Sequence, residues 1–166
     1  MAVFETILVG TDGSETALLA VERAADLAAK FEARLVLVSA FQPAPETRVE
    51  AERRGARADI VWAINGKEEV DQTLVESKHR AEARGAGDVV TMAVQGSASD
   101  VLLDIAEKVE ASVIVVGSVG LTGAKRFLMG SVPSRVTQYA EVDVLVVRTD
   151  RSPPEAEQEG PARHLR

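Results

Sequence analysis

Five short runs rich in Val, Leu and Ile recur along the chain, most of them unbroken by a polar residue: Thr6–Gly10 (TILVG), Arg34–Ala40 (RLVLVSA), Asp88–Val94 (DVVTMAV), Ser112–Gly117 (SVIVVG) and Val142–Arg148 (VDVLVVR). A sheet wet on one side alternates apolar and polar residues, whereas continuous apolar runs belong to strands covered on both faces, as in a parallel sheet. Parallel strands need crossovers of a dozen or more residues, usually helical. The intervals here supply them. Strand and helix alternating, with right-handed crossovers, predicts a three-layer doubly wound α/β fold: a five-stranded parallel sheet with helices on both faces.

From Thr16 to Phe31, Ala17, Ala20, Val21, Ala24, Ala28 and Phe31 form one apolar stripe, with Glu22, Arg23 and Lys30 off it. Val101, Leu102, Ile105 and Val109 do the same over Ala98–Val109, after Ser97 or Ser99 as N-cap. A more polar helix spans Lys67–Arg84 and a short one Val132–Ala140. Residues Phe41–Gly66 interrupt the rhythm and read as a surface excursion, a lid or an assembly element, since structureless loops of that length are uncommon in compact domains. Residues 1–149 are expected to form one domain. Residues 150–166, rich in Pro, Glu and other polar groups, are expected to be a disordered tail.

The absence of cysteine excludes disulfides, thiolate metal sites and a cysteine nucleophile. A net charge of −7 argues against nucleic acid and anionic lipid as partners, though not against a small anion in a locally positive pocket. No apolar run approaches the roughly 20 residues of a membrane span. The start, MAVFETILVGTDGS, has no export-signal pattern, so the cytoplasm is the expected location.

In an open parallel sheet, ligands bind beyond the carboxyl ends of the strands, where the strand order reverses. Two strand ends stand out. The first runs into GTDGS, Gly10–Ser14, just before a helix. The fourth runs into GSVGLTGAKRFLMGS, Gly117–Ser131. Glycines let backbone N–H groups approach a phosphate, and a helix N-terminus adds unpaired N–H groups and a favourable dipole. Ser131 is expected as N-cap, with Pro133 in the first turn and Lys125 and Arg126 adding positive charge. Taken singly, each feature fits an ordinary turn, cap or solvated face equally well.

The loop lacks the spacing of the phosphate-binding loop of nucleotide triphosphatases, and no Gly-x-Gly-x-x-Gly follows the first strand. Phosphoryl transfer to Asp12 lacks the acceptor aspartate after the third strand (MAVQG) and the lysine after the fifth (Arg148, Thr149) that receiver domains use. His79 sits among Lys78 and Arg80 on a polar helix, and His164 in the tail. Trp62 belongs to the excursion, with core cover or a subunit contact as its expected role. No general base is nominated, so any hydrolysis is expected to be slow.

The frame Gly117-x2-Gly120-x9-Gly130-Ser131 resembles the nucleotide-binding signature of the universal stress protein family. TILVGTDGSETALLAVERAADLA resembles its opening strand and helix, and VDVLVVR its last strand. The resemblance covers roughly residues 4–149 and implies the strand order 3-2-1-4-5, with ATP as ligand and Mg²⁺ or Mn²⁺ accompanying the triphosphate. Cyclic AMP, or an interaction scaffold with a vestigial loop, is the alternative. It implies that Asp12 meets the ribose or a phosphate-bound metal, that the backbone at Ala40 and Phe41 holds the adenine, and that Gly10, Thr11 and Gly13 shape the floor. Gly117 and Gly120 would pass close to ribose and phosphate. Gly130, Ser131 and Val132 would bind phosphate through N–H and hydroxyl groups. The last strand, predicted at a sheet edge, implies a homodimer, as does the resemblance. The long segment after Phe41 and the proline in GSVP depart from the pattern.

Overall fold

The computed structural model describes residues 3–42, 66–119 and 129–149. In chain order these form β1 (Thr6–Gly10), α1 (Glu15–Phe31), β2 (Arg34–Phe41), α2 (Lys67–Ala83), β3 (Asp88–Gln95), α3 (Ala98–Lys108), β4 (Val113–Gly117), α4 (Ser131–Tyr139) and β5 (Asp143–Val147). Each lies within one residue, at either end, of the segment expected from the sequence. The strands pair in parallel in the order β3-β2-β1-β4-β5. The predicted excursion with Trp62, the loop carrying Gly120, Lys125 and Arg126, and the tail lie outside the described residues.

Alternate side chains of the apolar strands build two cores. Ile7, Val9, Leu35, Leu37, Val113 and Val115 face α1 and α2, where small side chains such as Ala20, Ala24, Ala28 and Ala81 let the helices approach closely. Leu8, Val36, Val38, Ile114 and Val116 face α3 and α4, against Val101, Leu102, Ile105 and Val136. Ile7, Leu8, Leu35, Leu37 and Ile114 are fully buried, and burying a side chain of this size stabilises by roughly 1.5–3 kcal/mol. This is why the strands read as continuous runs. The stripe of α1 ends differently from expectation, because Phe31 is 37% exposed and packs edge-to-face on Phe4, ring centroids 5.1 Å apart.

The handedness of the crossovers then locates a crevice. While the chain steps from β1 through β2 to β3, its helices α1 and α2 lie on one face. α3 carries it back past β2 and β1 to β4, so α3 and α4 must lie on the other face. β1 and β4 are neighbours, with Val9 opposite Val115, yet their carboxyl ends turn toward opposite faces of the sheet. Arg84 fastens α2 to α1 through two hydrogen bonds to the Asp26 carboxylate, at 2.8 and 2.6 Å. These bonds hold the Asp26 carboxyl below its ordinary pKa. Arg80 adds a contact to Glu22 at 3.3 Å. Among the described residues no helix is long and apolar enough to cross a membrane.

Candidate functional site

The turn from β1 into α1 satisfies its own polar groups. The Thr11 N–H donates to the Val38 carbonyl at 2.9 Å, and the Thr11 hydroxyl accepts the Gly13 N–H at 3.3 Å. Oδ1 of half-buried Asp12 accepts the Ser14 N–H at 3.0 Å and the Ser14 hydroxyl at 2.6 Å. Ser14 is the N-cap of α1, its Oγ accepting the Ala17 N–H at 3.1 Å. Gly13 has φ +78°, and a Cβ there would lie 2.8 Å from Oγ1 of Thr73 on α2; a Cβ on Gly10 would lie 2.9 Å from a methyl of Leu102 on α3. Gly13 is therefore demanded by its own backbone conformation, whereas a side chain at Gly10 would require the Leu102 methyls to shift.

The turn from β4 toward α4 is closed differently. Ser118 holds three elements together: its N–H donates to the Val147 carbonyl at 2.8 Å, its carbonyl accepts the Gly130 N–H at 2.9 Å, and its Oγ accepts the Thr149 N–H at 3.1 Å. The Thr149 side chain, only 3% exposed, sits over Gly117, where a Cβ would meet its Cγ2 at 3.3 Å. The Thr149 hydroxyl also lies 3.2 Å from Ser118 Oγ and 3.4 Å from both the N–H and the carbonyl oxygen of Val119.

The expectation that Ser131 caps α4 is corrected. Gly130 is the N-cap, with φ −59° and ψ 166° and no side-chain cap, so Ser131 is the first helical residue. A local rule prefers serine at the cap, but the bond from Gly130 N–H to Ser118 fixes where the helix begins. It also occupies the Gly130 N–H, which the resemblance had assigned to phosphate. Pro133 has no N–H, and Ser134 donates to the Gly130 carbonyl at 3.1 Å. Ser131 and Val132 are left, and among the described residues neither N–H has a hydrogen-bond partner. The Ser131 side chain is exposed.

Charge distinguishes this helix start from the others. Glu15, Glu68 with Glu69, and Asp100 lie in the first turns of α1, α2 and α3, where a carboxylate complements the positive end of the helix dipole. The first turn of α4 has no acid. At the end of β2, Ala40 packs toward the α3 side, and the Phe41 carbonyl is engaged by the Gly96 N–H at 2.9 Å. β2 lies across β1 from β4, so both candidate regions border the same strand. Asp12 is a single carboxylate with one oxygen already accepting two hydrogen bonds, and among the described residues no three His, Cys, Asp or Glu side chains gather. A lone carboxylate already engaged within its own turn does not by itself make a metal site. Thr149 and Ser118 did not figure among the sequence candidates; with 31 residues between them, only the adjacency of β4 and β5 could have pointed to the pair.

An open, all-parallel five-stranded sheet with glycine turns at its switch point defines an α/β domain of the kind that binds small ligands at its strand ends. The model of the universal stress protein family matches residues 4–148, and the chain belongs to that family. It is 36% identical over 149 residues to universal stress protein Rv1636 of Mycobacterium tuberculosis (strain ATCC 25618 / H37Rv), covering 90% of this chain and 99% of the relative. It is 32% identical over 149 residues to universal stress protein MJ0531 of Methanocaldococcus jannaschii, covering 88% and 83%. Among solved structures, a universal stress protein in complex with cAMP is 36% identical, covering 88% of this chain and 98% of that one, with a TM-score of 0.67.

Proposed function

We propose that this chain binds an adenine nucleotide between the carboxyl ends of β1 and β4 and acts as a binder whose occupancy reports on nucleotide level. The observation that carries the reading is the start of α4. Two N–H groups without a partner among the described residues, Ser131 and Val132, an exposed hydroxyl and a helix dipole with no acid in its first turn suit one phosphate group. The nucleoside would extend past Asp12, at the end of β1, toward Ala40 and Phe41. Gly10, Thr11 and Gly13 would form the floor, with Gly117 and Gly120 beside the ribose. Cyclic AMP is the favoured ligand, because one phosphate matches two N–H donors and because the relative solved with cAMP is 36% identical.

ATP with Mg²⁺ is the second reading, supported by the frame from Gly117 to Ser131 being met at every fixed position. Calorimetric titration with cyclic AMP, AMP, ADP, ATP and adenosine, with and without magnesium, separates the two. Tighter binding of cyclic AMP without metal supports the first, and metal-dependent ATP binding the second. No heat for any nucleotide ends both and leaves an interaction scaffold.

We also propose a homodimer through β5, an edge strand on which Leu145 is 39% exposed. Light scattering that shows only monomer at micromolar concentration would refute it.

A further inference from the structure

We infer that Thr149 and Ser118 are positioning residues for the phosphate end of the nucleotide, an inference that rests on the functional reading above. Neither side chain is itself a proposed phosphate ligand, although the Thr149 methyl packs over Gly117. They set the geometry of the proposed seat through Gly130. Ser118 receives the Gly130 N–H through its carbonyl and the Thr149 N–H through its hydroxyl, so one residue joins the start of α4 to the end of β5. Buried Thr149 completes the clasp from above, with its methyl against Gly117 and its hydroxyl beside Val119 and Ser118.

The glycine at 117 is then explained by the protein itself, since the space a Cβ would enter is filled by Thr149 and the Val119 carbonyl. Gly130 shows the opposite. Its φ of −59° suits any residue, and a Cβ there would find only ordinary contacts, 3.5 Å from the Ser118 carbonyl oxygen and from the Pro133 ring. Gly117 thus belongs to the clasp, whereas the fold places no such demand on Gly130, which begins the seat. A clasp that fixes where Ser131 and Val132 point contributes affinity by preorganisation, and only for ligands that use those two N–H groups.

The test uses the full chain with Thr149→Val, which keeps the methyl packing and removes the hydroxyl, and Thr149→Ser, which keeps the hydroxyl. Ser118→Ala is the second, independent lesion. Each is titrated with adenosine, AMP and cyclic AMP. Thr149→Val and Ser118→Ala are expected to weaken AMP and cyclic AMP by about tenfold, the scale of one buried hydrogen bond, with adenosine unchanged and Thr149→Ser close to wild type. Equal losses for adenosine and AMP indicate a general structural role and overturn the inference, as does unchanged affinity for all three ligands in both lesions. Absence of binding by the wild-type chain overturns the functional reading and this inference with it, so the two failures are distinguishable.

Discussion

The chain makes the strand-to-helix turn twice at the same crevice, and the two turns are finished in different ways. At β1–α1 every device is internal: Ser14 caps the helix, Asp12 holds Ser14, and Gly13 is a glycine because its backbone requires one. At β4–α4 the bonds among the described residues close the base of the turn. Ser118 secures Gly130, and among the described residues the first two helical N–H groups have no partner. Similar glycine-rich sequences therefore have different physical meanings. One is a completed structural turn, and the other begins the helix at which the phosphate is proposed to sit.

The largest expected effect comes from Ser131→Pro. Proline is well tolerated as the first residue of a helix, and the extended ψ of Gly130 suits a following proline. The change removes one N–H and one hydroxyl from the proposed seat without disturbing the helix. Nucleotide affinity should fall by about 3 kcal/mol, on the order of 100-fold, with the melting temperature preserved. Wild-type affinity in this variant, measured by titration, would break the comparison.

Next in size is a pair of glycine substitutions. Gly13→Ala places a methyl at positive φ and against Thr73, and should destabilise the fold by roughly 2 kcal/mol. Gly130→Ala should leave denaturant stability unchanged or slightly raised. Equal losses in a urea melt would mean that the two turns are alike after all. A smaller effect is expected at the caps. Ser14→Ala should cost about 1 kcal/mol of stability, whereas Ser131→Ala, which removes no cap, should cost little.

The smallest effect concerns how firmly α1 is held beyond its turn. Because Arg84 depresses the Asp26 pKa below its ordinary 3.8, their pairing stabilises the fold fully above that value, and the stabilisation is lost as pH falls through the lower folded value. Both groups are partly exposed, so solvent screening keeps the contribution small. Arg84→Ala should therefore lower stability slightly at pH 7, and by less as the pH falls below 3.8, measured by urea melts across that range.

The strands and helices were legible because burial on both faces leaves a continuous apolar run, and burial on one face leaves a stripe such as Ala17 to Ala28. The strand order came from the resemblance, since apolar runs do not state which neighbours they choose. Within the candidate site, the strand end at Gly10–Ser14 and the helix start near Ser131 were legible from the residues, whereas the roles proposed for Asp12 and Val132 came from the resemblance. The start of α4 was misjudged by one residue because cap preference is local while the Ser118–Gly130 bond spans a loop. Ser118 and Thr149 passed unnoticed for the same reason, since nothing near either residue in the chain announces the other. Nor does the sequence distinguish Gly13, needed for φ, from Gly130, whose backbone is ordinary.

The clasp between Ser118 and Thr149 also has a consequence for the order of assembly. Its second half comes from the last residue of the described chain, beyond a strand that is the final one to join the sheet in synthesis. Until β5 has paired with β4, Ser118 has neither the Val147 carbonyl nor the Thr149 N–H to hold it. A chain still emerging, or cut before Asp143, would carry the glycine frame intact and yet lack these bonds at its base, so the proposed phosphate seat would be a late event in folding.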